Sequence, residues 1–542
     1  IRPFSLYLVE HHNREKYTAN PTTNGVDFAE IKTRHPDLAN APVYPLVLAG
    51  LMKVLPFHAK VEQHSSFWSN NEKFWRYEPD FLITLFNQLL LLTAAWLTFL
   101  IARQLFDQKV AWLATGLMLG CNLLWQFSVS GNSTNLLLVF FLGIIWGLTK
   151  FEAAAAEPGA APGRQLRLVL LIGVLLGLGV LTRYAFGWLI VPVALFLYWF
   201  GPQRRTLHLL TLLGLFVVFL TPWITRNYLV SGTPFGTAGY AMVEDTFLFP
   251  GNQLERSLNP DLTHVLWLAP YSHKLFENLQ DLLINHLPKL AGTWATVLFL
   301  AGLLLGFRRP AIRRMRYFLL LSLGVLMLVQ ALGRTGLSDF SPEVNTENLL
   351  VLLIPLVLIY SAGVFFTLLD QVQFPLRQLR YATIGLFVLV CCLPMAFALL
   401  PPQKVPVAYP PYYPPEIQET AGWMKPGELM MSDVPWAVAW YGQRQCVWLT
   451  LDSGDAFFAL NDNLKPVQAL YLTPVTTDGK FVTDMMRGGE QGWGNFFAKA
   501  LITGQIPGKF PLHSAPTGFL PDRLFLTDWP RWKLAPLQNA AP

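Results

Sequence analysis

Charge is scarce in this chain of 542 residues. Only 14% of them are Asp, Glu, Lys or Arg, where an ordinary soluble domain carries roughly 25%. Hydrophobic residues make up 53%, and a soluble fold of this length could not hide so much apolar surface. Cysteine is scarcer still. Of the four, Cys121, Cys391 and Cys392 sit inside apolar runs and Cys446 stands alone, so no disulfide framework exists. GxxxxGK[ST], HExxH, GxSxG and a CxxC pair are all absent, which argues against a pump driven by its own nucleotide site. The chain starts at Ile1 and shows no charged segment followed by an apolar one, so no signal peptide is expected within it. The adjacent His11 and His12 point in different directions in any regular element, and they are read as loop histidines rather than metal ligands.

What is present is a series of apolar blocks. Ten runs are long enough, or nearly so, to cross a hydrocarbon core of about 30 Å as helices. They lie near 81–102, 110–129, 133–149, 168–184, 186–200, 207–224, 289–306, 317–333, 349–369 and 381–400. The pair 168–184 and 186–200 reads as a tight helical hairpin. Gly173 and Gly177 form a GxxxG in its first arm, the pattern of close helix packing. A net charge of +6 would suggest nucleic acid in a soluble protein. In a membrane protein the placement of charge matters more, and no nucleic-acid partner is expected. One alternating set of loops carries Arg103, Arg164, Arg167, Arg204, Arg205, Arg308, Arg309, Arg313, Arg314, Arg316, Arg377 and Arg380. The short loops of the other set carry only Arg334, beside Asp339, Glu343 and Glu347. That asymmetry places the first set in the cytoplasm and residues 1–80, 225–288 and 401–542 on the other side.

The expected fold class is therefore a polytopic α-helical membrane protein with a C-terminal extracytoplasmic α/β domain. Residues 1–80 form an outer loop, and its run 42–57, "PVYPLVLAGLMKVLPF", is too short and proline-rich to span, so it reads as a helix at the outer interface. Residues 81–400 form the transmembrane domain, with a large outer loop over 225–288. Residues 401–415 form a Pro-rich linker. In 416–542, "ELMMSD", "CVWLTL", "VQALYLT" and "RLFLTD" read as short buried strands. "PPEIQETAGWM", "DAFFALNDNL" and "WGNFFAKALI" read as helices between them.

The stretch "LFVVFLTPWITRNYLVSGTPFG" ends an apolar span at Pro222 and Trp223 and then presents Arg226 and Asn227. Arg183 in "LTRYAF" ends another span on the same side. Two guanidinium groups at one membrane boundary can grip a lipid phosphate. The alternative is that they snorkel to ordinary headgroups. "LTPWITRNYLVSGTPFG" resembles the PW-x-x-RN-x-x-x-x-G-x-PF stretch of GT-C glycosyltransferases of the protein-mannosyltransferase-like and aminoarabinose-transferase-like group. "NAPVYPLVLAGLMKVLPF", "LTFLIARQLFDQKVAWLATGLMLGCN" and "GVLLGLGVLTRYAFGWLIVPVAL" resemble other segments of that family, in the same order. "SDVPWAVAWYGQRQCVWLTL" is similar to the outer domain of its bacterial members.

The resemblance implies an enzyme at the outer face of a bacterial inner membrane. It would move a hexosyl or pentosyl group, with inversion, from a polyprenyl-phosphate carrier to a lipid, glycan or protein acceptor. Arg183 occupies the family's phosphate-holding basic position, and Arg226 joins it. Tyr44, Tyr184 and Asn227, inside the quoted segments, are assigned to substrate binding. The family's catalytic acid follows its first helix and is expected upstream of Ile1. Within the chain, Asp37, Glu244 and Asp245 are the carboxylate candidates, with Glu10 and Asp27 nearby. The outer loop "SGNSTN" lacks the acid often found there, and "EVNTENLLVLLIP" has Glu343 and Glu347 where the family has a basic residue. No metal ligands are assigned and no cofactor is fixed; a divalent cation is left open. Membrane lipids are the further partners. The alternative is a non-catalytic relative serving as a scaffold subunit of a larger membrane complex. A transporter would show inverted repeats and mid-span charges, and neither is seen.

Overall fold

The computed structural model describes residues 2–18, 36–61, 76–156, 162–201, 204–336, 343–400, 413–477, 491–516 and 523–533. Asp27 and all but the last three residues of the linker segment 401–415 lie outside these. The chain opens with α1 (Pro3–Thr18) and α2 (Val43–Val54). The helical bundle then runs through α3 (Glu78–Leu105), α4 (Gln108–Leu119), α5 (Asn122–Val129), α6 (Thr134–Ala156), α7 (Pro162–Val180), α8 (Ile190–Phe200) and α9 (Arg205–Ser231). It continues with α10 (Leu268–Asp281), α11 (Thr293–Gly302), α12 (Pro310–Gly333), α13 (Ile354–Leu369) and α14 (Arg377–Leu399).

Among the described residues, seven helices are long and apolar enough to cross a membrane, or eight if the bent pair α4–α5 counts as one span. Every one of the ten apolar runs is helical, but two fall short. The 3-10 turn Tyr184–Leu189 with α8 makes one arm of the hairpin, and α11 has only 10 residues, about 15 Å at 1.5 Å per residue. The pair α4–α5 bends by 53° around Gly120. A side chain there would sit 2.2 Å from Cys392 Sγ, so glycine lets α14 approach the bend. α2 is short, with 12 residues, and has no buried residue.

Burial separates the helices into core and rim. In the segment Leu350–Leu369, which contains α13, 83% of the apolar window is buried, whereas α9 is 11% and α14 6% buried. α9 and α14 are thus apolar and outward-facing, with Val217, Val218, Leu386 and Phe397 exposed. Only a hydrocarbon solvent tolerates that surface. At α7 the GxxxG glycines do what their spacing implies. Cβ atoms on Gly173 and Gly177 would lie 2.6 Å from Leu215 and 2.5 Å from Phe219 of α9, so the two helices nearly touch.

One expectation is corrected. Pro222 does not stop α9, which runs on to Ser231. A proline removes one backbone donor, and a 27-residue helix packed along α7 keeps the rest. The real stop is Gly232, whose φ of 72° is the left-handed cap a side chain resists. The region 225–288 is accordingly not a plain loop, since α9 and α10 both enter it.

Beyond the bundle lies a four-stranded sheet of β1 (Leu429–Ser432), β2 (Gln445–Trp448), β3 (Val467–Leu472) and β4 (Leu524–Thr527). Its order is β2-β1-β3-β4, with β1 parallel to β2 and β3, and β4 antiparallel to β3. All four strands form where the apolar runs place them. Both faces are covered, one around Met431, Val447 and Leu470, the other around Met430, Tyr471 and Phe525. This explains why the strands read as unbroken apolar runs. The sheet region is fastened to the bundle at several points. Trp440 Nε1 and Tyr441 OH donate to Asp80 at 2.8 and 2.9 Å, at the start of α3. Arg256, nearly buried, donates to the carbonyls of Leu449 and Thr450 at 3.0 and 2.8 Å.

Candidate functional site

At the end of the bundle that carries the sheet, four segments meet: residues 36–44, 181–184, 223–237 and 343–349. Val43 N donates to Leu181 O at 2.8 Å and Thr237 N to Leu38 O at 3.1 Å, which ties the first three together. Gly236, at φ 57°, passes so close to Leu38 that a Cβ would stand 2.2 Å from its carbonyl oxygen.

Arg183 follows the end of α7. Its Nη2 donates to Ser133 Oγ at 2.9 Å, and its Nη1 donates to the Thr346 carbonyl. Burial lowers its pKa to about 10, opposed by Glu347 and Tyr44, so it remains a cation at neutral pH. The acid-free loop "SGNSTN" therefore has a visible job, because its serine orients this guanidinium. Tyr44 sits beside it. Its hydroxyl donates to Gly131 O at 2.7 Å and accepts from Asn87 Nδ2 at 3.3 Å.

The second guanidinium comes from α9. Arg226 Nη1 donates to the Asp37 carbonyl and to Asn227 Oδ1, both at 2.7 Å, and its guanidinium lies 4.7 Å from the Trp223 ring centre. Trp223 Nε1 and Asn227 Nδ2 both donate to Tyr184 OH, at 2.6 and 3.2 Å. Tyr184 is thus the hub of this half of the site, and its chain neighbour is Arg183. The sequence candidates Arg183, Arg226, Tyr44, Tyr184 and Asn227 all come together here.

The carboxylate candidates separate. Asp37 forms a turn: its carboxylate accepts from Ala39 N, Asn40 N and Asn40 Nδ2 at 2.9 to 3.0 Å. Asp245 has φ 56° and accepts from Gly251 N at 3.3 Å. Glu10 lies on the face of α1 that packs against the sheet region, near Leu429 and Lys465. Glu244 differs from all of these. It is only 4% exposed, and burial raises its pKa to about 7 against the pull of Arg2 and Lys274. Lys274 donates to Ala241 O at 2.8 Å and to the Glu244 carbonyl, and burial lowers its pKa to about 8. Glu347 accepts from Thr335 N at 3.0 Å and from Thr335 Oγ1 at 2.5 Å, and burial raises its pKa too. Glu347 acts electrostatically on both Arg183 and Glu244. Arg2, Glu244, Lys274, Glu347 and Arg183 therefore form a run of alternating charge.

Sequence reasoning missed Lys274, Arg2 and Ser133, and it saw Glu347 only as a departure from a motif. No local pattern marks residues drawn from positions 2, 133, 274 and 347. Among the described residues, no group of three His, Cys, Asp or Glu side chains is placed to hold a metal ion. A carboxyl titrating near neutrality can take a proton, and nearby guanidinium groups can stabilise an anionic leaving group.

Residues 77–225 match the family described as dolichyl-phosphate-mannose-protein mannosyltransferase. The chain is similar in structure to the archaeal oligosaccharyltransferase AglB from Archaeoglobus fulgidus, solved in complex with an inhibitory peptide and a dolichol-phosphate. The TM-score is 0.54 at 11% identity, over 91% of this chain and 67% of that one. It is also similar to ArnT from Cupriavidus metallidurans bound to undecaprenyl phosphate. There the TM-score is 0.50 at 12% identity, over 98% of this chain and 93% of that one. No curated protein matches the chain.

Proposed function

We propose that this chain, which has the GT-C fold of membrane glycosyltransferases, transfers a sugar from a polyprenyl-phosphate carrier to an acceptor hydroxyl or amide. The observation that carries the reading is that Arg183 and its chain neighbour Tyr184, which Asn227 and Trp223 link to Arg226, lie at one end of an apolar bundle. Positively charged side chains crowd the opposite end, where Arg309 donates to Phe106 O at 2.9 Å and Arg314 pairs with Glu152 at 3.0 Å. By the positive-inside bias that end is cytoplasmic, and the site and sheet face the other side. The neighbours' bound dolichol-phosphate and undecaprenyl phosphate support a lipid-linked donor.

The transfer then follows from the residues. The carrier phosphate lies against Arg183 and Arg226, with Tyr44, Tyr184 and Asn227 donating around it. The acceptor heteroatom bonds to the anomeric carbon from the face opposite the phosphate, and the carbon–oxygen bond to phosphate breaks. The acceptor proton passes to a carboxylate, and Glu244 has the pKa for that task. The leaving phosphate gains negative charge where the two guanidinium groups wait, so their attraction is strongest late in the step.

The test is binding of undecaprenyl phosphate to the purified chain in nanodiscs. Losing one charge-assisted contact costs roughly 1.5–3 kcal/mol, about 10- to 100-fold in affinity. Arg183→Gln and Arg226→Gln should each show that loss, and wild-type affinity in the double variant would refute the reading. A second reading is a scaffold subunit, favoured by the internal partners each arginine already has. It predicts that neither substitution changes carrier binding while both lower thermal stability.

A further inference from the structure

One turn beyond Asn227 on α9, a cavity of about 530 Å³ opens between the end of that helix and α1. Tyr7, His11 and His12 come from α1, Tyr228 and Ser231 from α9, and Tyr240 from the segment that follows. The geometry is built rather than incidental. Gly232 caps α9 at φ 72°, a conformation a side chain resists, and a Cβ there would stand 2.7 Å from His12 Nδ1, so the His12 ring lies directly against the cap. The His12 and Tyr228 rings lie 6.4 Å apart and the Tyr7 and His11 rings 5.5 Å apart. Ser231 Oγ reaches the Asn227 carbonyl at 2.9 Å, linking the cavity wall to the phosphate-side residues.

The lining selects a chemistry. The volume falls within the range of small-ligand sites. Among the described residues, no Asp, Glu, Lys or Arg lines it, so no carboxylate, ammonium or guanidinium group is there to favour a charged ligand over a neutral one. It offers ring faces for apolar C–H surfaces, with imidazole, phenol and hydroxyl groups between them. That combination suits a neutral polyhydroxylated ring. We propose that the cavity seats a neutral pyranose, either the sugar carried by the donor or a sugar of the acceptor. The proposal rests on the transferase reading, since a sugar one helical turn from the carrier phosphate is in place for transfer.

The test uses the purified full chain in nanodiscs and saturation-transfer NMR. The probes are the methyl glycosides of mannose, glucose, galactose and N-acetylglucosamine, with undecaprenyl phosphate measured in parallel. At least one glycoside should bind. Tyr228→Ala and His12→Ala should each weaken it about threefold to tenfold and leave undecaprenyl phosphate binding unchanged. Tyr228 is 55% exposed, so its truncation spares the core. Weaker binding of mannosyl-phosphoryl-undecaprenol by Tyr228→Ala would identify the donor's sugar as the occupant; unchanged binding would identify the acceptor's. Absence of glycoside binding, or binding that survives both substitutions, overturns the proposal. If undecaprenyl phosphate fails to bind while a glycoside binds at these residues, the transferase reading falls and the saccharide site stands.

Discussion

Glu244 shows how far one residue's behaviour depends on what surrounds it. In the sequence it is an acid in a loop beside Asp245, with no motif to mark it. In the fold it is buried near Arg2 and Lys274, and desolvation outweighs both cations to leave its pKa at about 7. If Glu244 accepts the acceptor's proton, kcat/KM should rise with pH through a midpoint near 7, and Glu244→Gln should abolish that limb along with most of the rate. A pH–rate profile in proteoliposomes with mannosyl-phosphoryl-undecaprenol checks it; a wild-type limb persisting in the variant would remove Glu244 from the mechanism. Stability carries an independent signature. The folded pKa lies above the usual carboxylate value, so between about 4.5 and 7 the native state holds a proton that the unfolded chain has released. Stability from this group therefore falls as pH rises through that window. The melting temperature of Glu244→Gln should exceed that of the wild type above pH 7, and the gap should close toward pH 5.

At the scale of elements, the packing of α7 on α9 governs the site. Arg183 follows the end of the first helix and Arg226 sits near the end of the second, so their separation is set by how closely the helices pack. Gly177 fixes that distance, since its Cβ would fall 2.5 Å from the Phe219 ring. Gly177→Val should cost about 1–3 kcal/mol through overpacking and weaken undecaprenyl phosphate binding as well. Gly214, on α9 but with nothing near its Cβ, is the control, and Gly214→Ala should leave both unchanged. Thermal unfolding in detergent and carrier binding together decide it; equal effects at the two glycines would refute the role given to this contact. The GxxxG spacing made close packing legible in the sequence. The continuation of α9 past Pro222 was not, because a proline's local cost is visible in sequence and the tertiary packing that outweighs it is not.

For the whole molecule, the connection between sheet and bundle is the decisive feature. Arg256 is only 3% exposed and spends its guanidinium on the carbonyls that follow β2. Truncating it removes the guanidinium's donors from the junction and leaves the Thr450 carbonyl with Trp493 Nε1 alone among its side-chain donors. Arg256→Ala should raise hydrogen exchange in residues 445–452 while the bundle helices keep their protection. Mass-spectrometric exchange would show this, and unchanged protection there would mean the sheet is held by other contacts.

The sequence by itself determined the membrane class, the ten helical runs, the short helix α2 and the four strands. Each of these follows from local hydrophobicity, and a run of apolar residues must leave water wherever the rest of the chain lies. It also pointed to Arg183 and Arg226, whose neighbours in the chain carry a recognisable pattern. Only the tertiary structure decided that Trp223 and Asn227 donate to Tyr184, that Ser133 and Glu347 flank Arg183, and that burial brings the Glu244 pKa to about 7. Those properties are made by groups as far apart along the chain as Arg2 and Glu244. Desolvation and charge pairing depend on distance in space, and no spacing along the chain records it.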